Sequence, residues 1–228
     1  MPSPLPTFKA VIFDMDGLMF DSESVYHHAW QRAINGLGYR FDSQQYLSLV
    51  GQSNAEAERL MQQFFGEAFP FQQFRTDWTR YWQETVQAQP IPLKPGVLAL
   101  LSLLEQHQVP KAVGTSSTWP EAELTLKGGD VWQRFAHIVT VDQVAAGKPA
   151  PDIFLEAAQR LSVAPQDCLV LEDSNAGVSA ATDAGMTVVM VPDLQSPSLT
   201  SQQSAHAIVD SLHVVYDWVA ETLVLRGC

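Results

Sequence analysis

Two aspartates one residue apart close an apolar run in Val11-Ile12-Phe13-Asp14-Met15-Asp16-Gly17. A strand that brings two carboxylates to one point needs a positive partner to offset their repulsion. The later runs Lys111–Gly114, His137–Val141 and Cys168–Leu171 lead into comparable chemistry. Thr115 and Ser116 follow the first, Gly147-Lys148-Pro149 comes shortly after the second, and Glu172-Asp173 follows the third. Each alone is an ordinary turn former. Together they set acids, a hydroxyl pair and one lysine at strand ends, where open parallel sheets bind their ligands. So many carboxylates suit a hard divalent cation, and Mg²⁺ takes oxygen ligands while leaving room for a substrate phosphate. A calcium EF-hand is excluded, because Gly17 comes at the fourth position of the loop and Met19 and Phe20 follow it.

The elements that must hold these residues show in the apolar pattern. Phe8–Phe13, the three runs above and Thr187–Val191 have strand length. Between them, Ile153, Phe154, Ala157, Ala158 and Leu161 recur at helical spacing, and a second helix over Ala176–Ala184 stops at Gly185. Strands alternating with helices predict an α/β fold with a Rossmann-like parallel sheet covered on both faces. The stretch from about Ser22 to Gln89 is rich in Gln, Glu and aromatics at helical spacing, and the proline-rich QPIPLKPG returns the chain to the sheet. The expected layout is a core of residues 1–20 and 91–228 with a helical insert over 21–90. Asp21 and Ser22 are expected to cap the first insert helix, Ser174 and Asp173 the helix through Gly177, and Asp152 the Ile153 helix. Asp142 fits a turn or the site equally. His27 and His28 read as surface or packing residues rather than ligands, and Trp30, Trp78, Tyr81 and Trp82 as core packing at helical spacing, with stacking on a sugar or base as the alternative.

Composition excludes some partners. A net charge of −12 disfavours nucleic acid and anionic membranes, which are bound by clustered Lys and Arg. Cys168 and Cys228 read as free thiols of a reducing compartment. The opening MPSPLPTFKA lacks a signal-peptide core, and no run of about 18 apolar residues occurs. A cytoplasmic protein is the expectation.

DMDGLMFDSE resembles the first motif of the haloacid-dehalogenase-like superfamily, D-x-D-G-x-x-x-D-[ST]-E. VGTSS resembles its second motif, GKPAPDIF its third and LVLEDSNAGVSAA its fourth, in the family's order and across Phe8 to Pro192. The insert resembles the helical cap of the subgroup holding β-phosphoglucomutase and small phosphosugar phosphatases, while the stretches TSS, HIV…GKPAPDIF and CLVLEDSNAGVSAATDAGMTVVMVPD resemble pseudouridine-5′-phosphatase. The resemblance implies a Mg²⁺-dependent phosphatase with Asp14 as nucleophile, forming an aspartyl-phosphate, and Asp16 as general acid and base. Asp14, the Asp16 carbonyl and Asp173 would hold the metal, with Glu172 a further ligand or a support behind them. Thr115, the Ser116 backbone N–H and Lys148 would bind the phosphoryl group. The substrate would be a small phosphorylated metabolite, a sugar phosphate or nucleoside phosphate, and the protein a monomer or weak homodimer. A cap that opens and closes would hinge near Leu18–Asp21 and Ile91–Gly96. The rival enzyme, a β-phosphoglucomutase, carries a cap histidine where Tyr26 stands here and a cap arginine where Asn54 stands. A non-catalytic phosphate-binding or regulatory relative is the alternative of another class.

Overall fold

The computed structural model describes residues 5–50 and 54–226. The expected thiol of Cys228 and the side chain of Asn54 lie outside the described residues, while Cys168 is a buried free thiol. The chain divides into two units, one running to Asp21 and resuming at Pro92, the other Ser22–Ile91.

The larger unit begins with β1 (Ala10–Phe13). The smaller unit holds α1 (Glu23–Gly36), α2 (Ser43–Leu49), α3 (Asn54–Phe65) and α4 (Phe71–Ala88). The larger unit then continues through α5 (Val97–Gln106), β2 (Lys111–Gly114), α6 (Trp119–Gly128), β3 (His137–Val139), α7 (Asp152–Leu161) and β4 (Cys168–Glu172). It ends with α8 (Asn175–Asp183), β5 (Thr187–Met190), α9 (Leu199–Ser204), β6 (Ala207–Ile208) and α10 (Leu212–Arg226).

The six strands form one parallel sheet in the order β3-β2-β1-β4-β5-β6. Every residue of β1, β2 and β4 is buried. Successive strand residues face opposite sides, so both faces of the sheet are covered, as expected of a parallel sheet. On one face Ala10, Ile12, Ala112 and Val170 pack with Phe154 and Ala157 of α7 and Val178 and Ala181 of α8. The register matters most for the site. Phe13 pairs with Val113 on one side and Leu171 on the other. The residues that come next, Asp14, Gly114 and Glu172, therefore stand level with one another at the carboxyl end of the sheet.

Some expectations are corrected. β3 ends at Val139 rather than Val141, because its partner Gly114 is the last residue of β2. β6 was not foreseen, since two residues carry no readable alternation. Ser22 does not cap α1 through its side chain: its backbone already has helical angles (φ −89°, ψ −20°), whereas a side-chain cap needs an extended residue. Asp152 is the first residue of α7 rather than its cap, and its carboxylate accepts from the Ala146 N–H at 3.3 Å. Ser174 does cap α8, its Oγ accepting from the Gly177 N–H at 3.0 Å.

In the smaller unit the aromatic side chains form the packing core. Tyr26 stacks on the fully buried Trp82 at 5.7 Å, and Trp30 meets Phe74 edge to face, also at 5.7 Å. Trp78 and Tyr81 are half-buried against the same cluster, and the His27 ring lies 4.5 Å from that of Tyr46. In the larger unit the two segments expected as hinges are paired. Asp21 donates to the Pro92 carbonyl at 2.9 Å, and Lys94 donates from its backbone to Met19 at 2.8 Å. Among the described residues no helix is long and apolar enough to cross a membrane.

Candidate active site

Three residues that stand level at the carboxyl end of the sheet are gathered by one side chain. The Lys148 ammonium donates to the Asp14 carboxylate, to the Gly114 carbonyl at 2.9 Å and to Glu172 Oε1 at 2.6 Å. An ammonium has three donors, and all are used here. The lysine is carried by the loop before α7, which Asp152 braces through Ala146. Its side chain is 3% exposed and lies over the Phe154 ring.

Glu172 is fully buried, and its second oxygen is as heavily engaged as the first. Oε2 accepts from the Asp173 and Ser174 backbone N–H groups and from Ser174 Oγ, each at 2.9 Å. Two buried carboxylates thus share one ammonium. Burial is the strongest influence on Asp14 and pushes its carboxyl well above the usual carboxylate range; Lys148 opposes this, while Glu172 and Asp16 add to it. Burial works against the charge of Lys148 as well, yet Asp14 and Glu172 outweigh it and hold the ammonium above the ordinary lysine range. The carboxylates grouped around one ammonium thus add to the first shift and cause the second.

The excess negative charge of these carboxylates is what a divalent cation would offset. Asp14, Glu172 and Asp173 each place a carboxylate oxygen within 4.8 Å of the others. Gly17 clears the space beside them: it has φ +80°, and a Cβ there would stand 2.3 Å from Asp173 Oδ2. The donors are all hard oxygens, which fits Mg²⁺ in kind. Because both oxygens of Glu172 are bound within the chain, Asp14 and Asp173 are the carboxylates better placed to meet a cation.

Asp16, two residues past the strand, is tied to the β2 loop, where Ser117 Oγ donates to its Oδ2 at 2.7 Å. Thr115 is buried, its Oγ1 accepts from the Ser117 N–H at 3.0 Å, and its hydroxyl hydrogen is left to donate. Ser116 sits exposed between them. Asp142 lies beyond β3 and accepts from the Trp119 N–H at 3.0 Å, fastening the start of α6. Short contacts thus gather the sequence-predicted residues in two sets: Asp14, Lys148, Glu172 and Asp173 in one, and Asp16 and Thr115, joined through Ser117, in the other. Reading the sequence missed Ser117, Lys94 and Asp193. Ser117 stands beside the residues that were chosen, and the strand-end rule carried on to β5 reaches Asp193. Lys94 lies in a stretch that reads only as a linker.

The fold agrees with what the comparisons find. The chain matches the family model of haloacid dehalogenase-like hydrolases over residues 11–191 and belongs to that family. It is 35% identical over 207 residues to a probable pseudouridine-5′-phosphatase of Drosophila melanogaster, with 86% of this chain and 85% of that protein covered. It is 32% identical over 227 residues to a bifunctional riboflavin kinase/FMN phosphatase of Arabidopsis thaliana, covering 94% of this chain but only 59% of that longer protein. The crystal structure of β-phosphoglucomutase from Clostridium difficile shares the fold, with a TM-score of 0.80 at 24% identity over 96% of this chain and 99% of that one. Phosphatases of this family generally use Mg²⁺.

Proposed function

We propose that the chain hydrolyses a small phosphate monoester, a sugar phosphate or nucleoside phosphate, by covalent catalysis at Asp14. The observation that carries this reading is the placement of Asp14 at the end of a central strand, between the Lys148 ammonium and the acidic pair Glu172-Asp173. The phosphatase relatives support the substrate class.

A Mg²⁺ ion held by the Asp14 and Asp173 carboxylates and the Asp16 carbonyl would neutralise charge on the phosphoryl oxygens and screen Asp14 from the approaching phosphate. An Asp14 oxygen attacks phosphorus while the bond to the substrate oxygen breaks, and the Asp16 carboxylic acid gives that oxygen its proton. Asp16, now a carboxylate, takes a proton from a water whose oxygen attacks phosphorus. The bond to Asp14 breaks, phosphate leaves, and both side chains return to their first state. Ser117 holds Asp16 in one orientation for both proton transfers. Thr115 and the Ser116 N–H supply donors to the phosphoryl oxygens, and Lys148 acts through its charge, set in place before the reaction begins. Glu172 supports rather than binds: it orients Lys148 and the first turn of α8.

The test is phosphate release in Mg²⁺ from a panel of sugar phosphates, nucleotides, pseudouridine 5′-phosphate and an aryl phosphate, by wild type and Asp14→Asn. Release that the substitution abolishes supports the reading. Release unaffected by it removes the covalent mechanism, and a wild type inert on the whole panel favours a binding or regulatory protein. Interconversion of phosphosugar isomers without net phosphate release favours the mutase.

A further inference from the structure

Lys94, at the start of the larger unit's return, donates to Asp193 Oδ1 at 2.6 Å and to the Gly17 carbonyl at 2.7 Å. Asp193 follows β5, ninety-nine positions away. Its other oxygen, Oδ2, is closed off from solvent and accepts no hydrogen bond among the described residues. That oxygen is turned toward Gly17, where a Cβ would stand 3.4 Å from it and 2.3 Å from Asp173 Oδ2. Two carboxylate oxygens thus converge over a residue that has no side chain, at the rim of the Asp14, Glu172 and Asp173 cluster.

A salt bridge that served only to tie two segments would leave its spare oxygen to water. Here the spare oxygen faces inward, toward a candidate metal ligand, where an acceptor is costly unless a donor meets it. A bare third acid would deepen the negative excess of the site. Lys94 cancels that charge, so the site gains an acceptor without gaining net charge. Resting on the metal-dependent reading above, we propose that Asp193 is a positioning residue for the cation: its Oδ2 accepts from a water of the cation's shell on the Asp173 side, and Lys94 fixes its orientation. Partners behind the ligands of a metal are typically worth about 10- to 100-fold in metal affinity.

Calorimetric titration with Mg²⁺ alone compares wild type with Asp193→Asn and Asp193→Ser, and melting in a chelator reads the metal-free stability of each. Both variants are expected to bind Mg²⁺ about 10-fold or more weakly while melting within a few degrees of the wild type without metal. A folded variant that binds Mg²⁺ as tightly as wild type overturns the proposal. So does a large fall in metal-free melting in both variants, which makes the pair a tether between segments. A wild type that does not bind Mg²⁺ removes the metal reading itself, and this inference with it.

Discussion

The carboxylate of Glu172 occupies the space that a side chain on Gly177 would need: a Cβ there would stand 1.8 Å from Oε1 and 2.3 Å from Oε2. The glycine lets the first turn of α8 close over the carboxylate, which in turn anchors Lys148. Gly177→Ala therefore forces Glu172 to move. Overpacking of this kind costs about 1–3 kcal/mol, to be read by denaturant unfolding. Turnover in saturating Mg²⁺ is expected to fall at least about 10-fold, because the lysine loses one of its three acceptors.

Lys148 neutralises two carboxylates buried beside it. Lys148→Met leaves both uncompensated and is expected to destabilise the metal-free protein by about 3–5 kcal/mol, measured by urea unfolding in a chelator. Mg²⁺ should restore part of the loss. Lys148→Arg should not replace it, since a planar guanidinium cannot aim donors at Asp14, Gly114 and Glu172 as a tetrahedral ammonium does.

Ser117 donates to the carboxylate assigned to proton transfer. A hydrogen bond to a charged group is worth about 1.5–3 kcal/mol. Steady-state kinetics of Ser117→Ala should show kcat lowered by roughly 10- to 100-fold with KM little changed, because the bond orients Asp16 rather than holding substrate.

Chelation is expected to abolish turnover, and Mg²⁺ to restore it. Ca²⁺ should restore it poorly, since it prefers a larger and looser oxygen shell. Phosphate release after dialysis against each cation checks this.

Away from the site, Glu105 carries a pH-dependent share of stability. Arg134 donates to it at 2.6 and 2.9 Å, and the buried Lys111 lies 3.1 Å away. The Arg134 hydrogen bonds, and then Lys111, hold its carboxyl down at about 2. A carboxyl depressed by folding contributes above its unfolded value, 4.5, and loses that contribution as pH falls toward about 2. Glu105→Gln should cost roughly 1 kcal/mol at pH 7, a modest figure because the carboxylate is partly in water. The gap between variant and wild type should close in unfolding curves taken at falling pH.

Much of the site was legible because its residues directly follow apolar runs. Asp14, Thr115, Glu172 and Asp173 are local consequences of where a strand stops, and their acids and hydroxyls name oxygen and phosphate chemistry. Helix caps were less legible. Ser22 has the right side chain, but its backbone conformation decides whether that side chain can act. β6 and the true end of β3 depend on a neighbouring strand, not on their own residues.

The sequence alone determined which chemical groups the strands deliver and, through four ordered motifs, the family. It could not say that Phe13, Val113 and Leu171 share one register, and so that Asp14, Gly114 and Glu172 come level within reach of one ammonium. Nor could it pair Ser117 with Asp16 or Lys94 with Asp193. Periodicity along a chain records which way each residue faces within its own element. Contacts between residues about a hundred positions apart arise only when separate elements pack, and there the tertiary structure alone decided which acids share the Lys148 ammonium, which acid accepts from Ser117 and which pairs with Lys94.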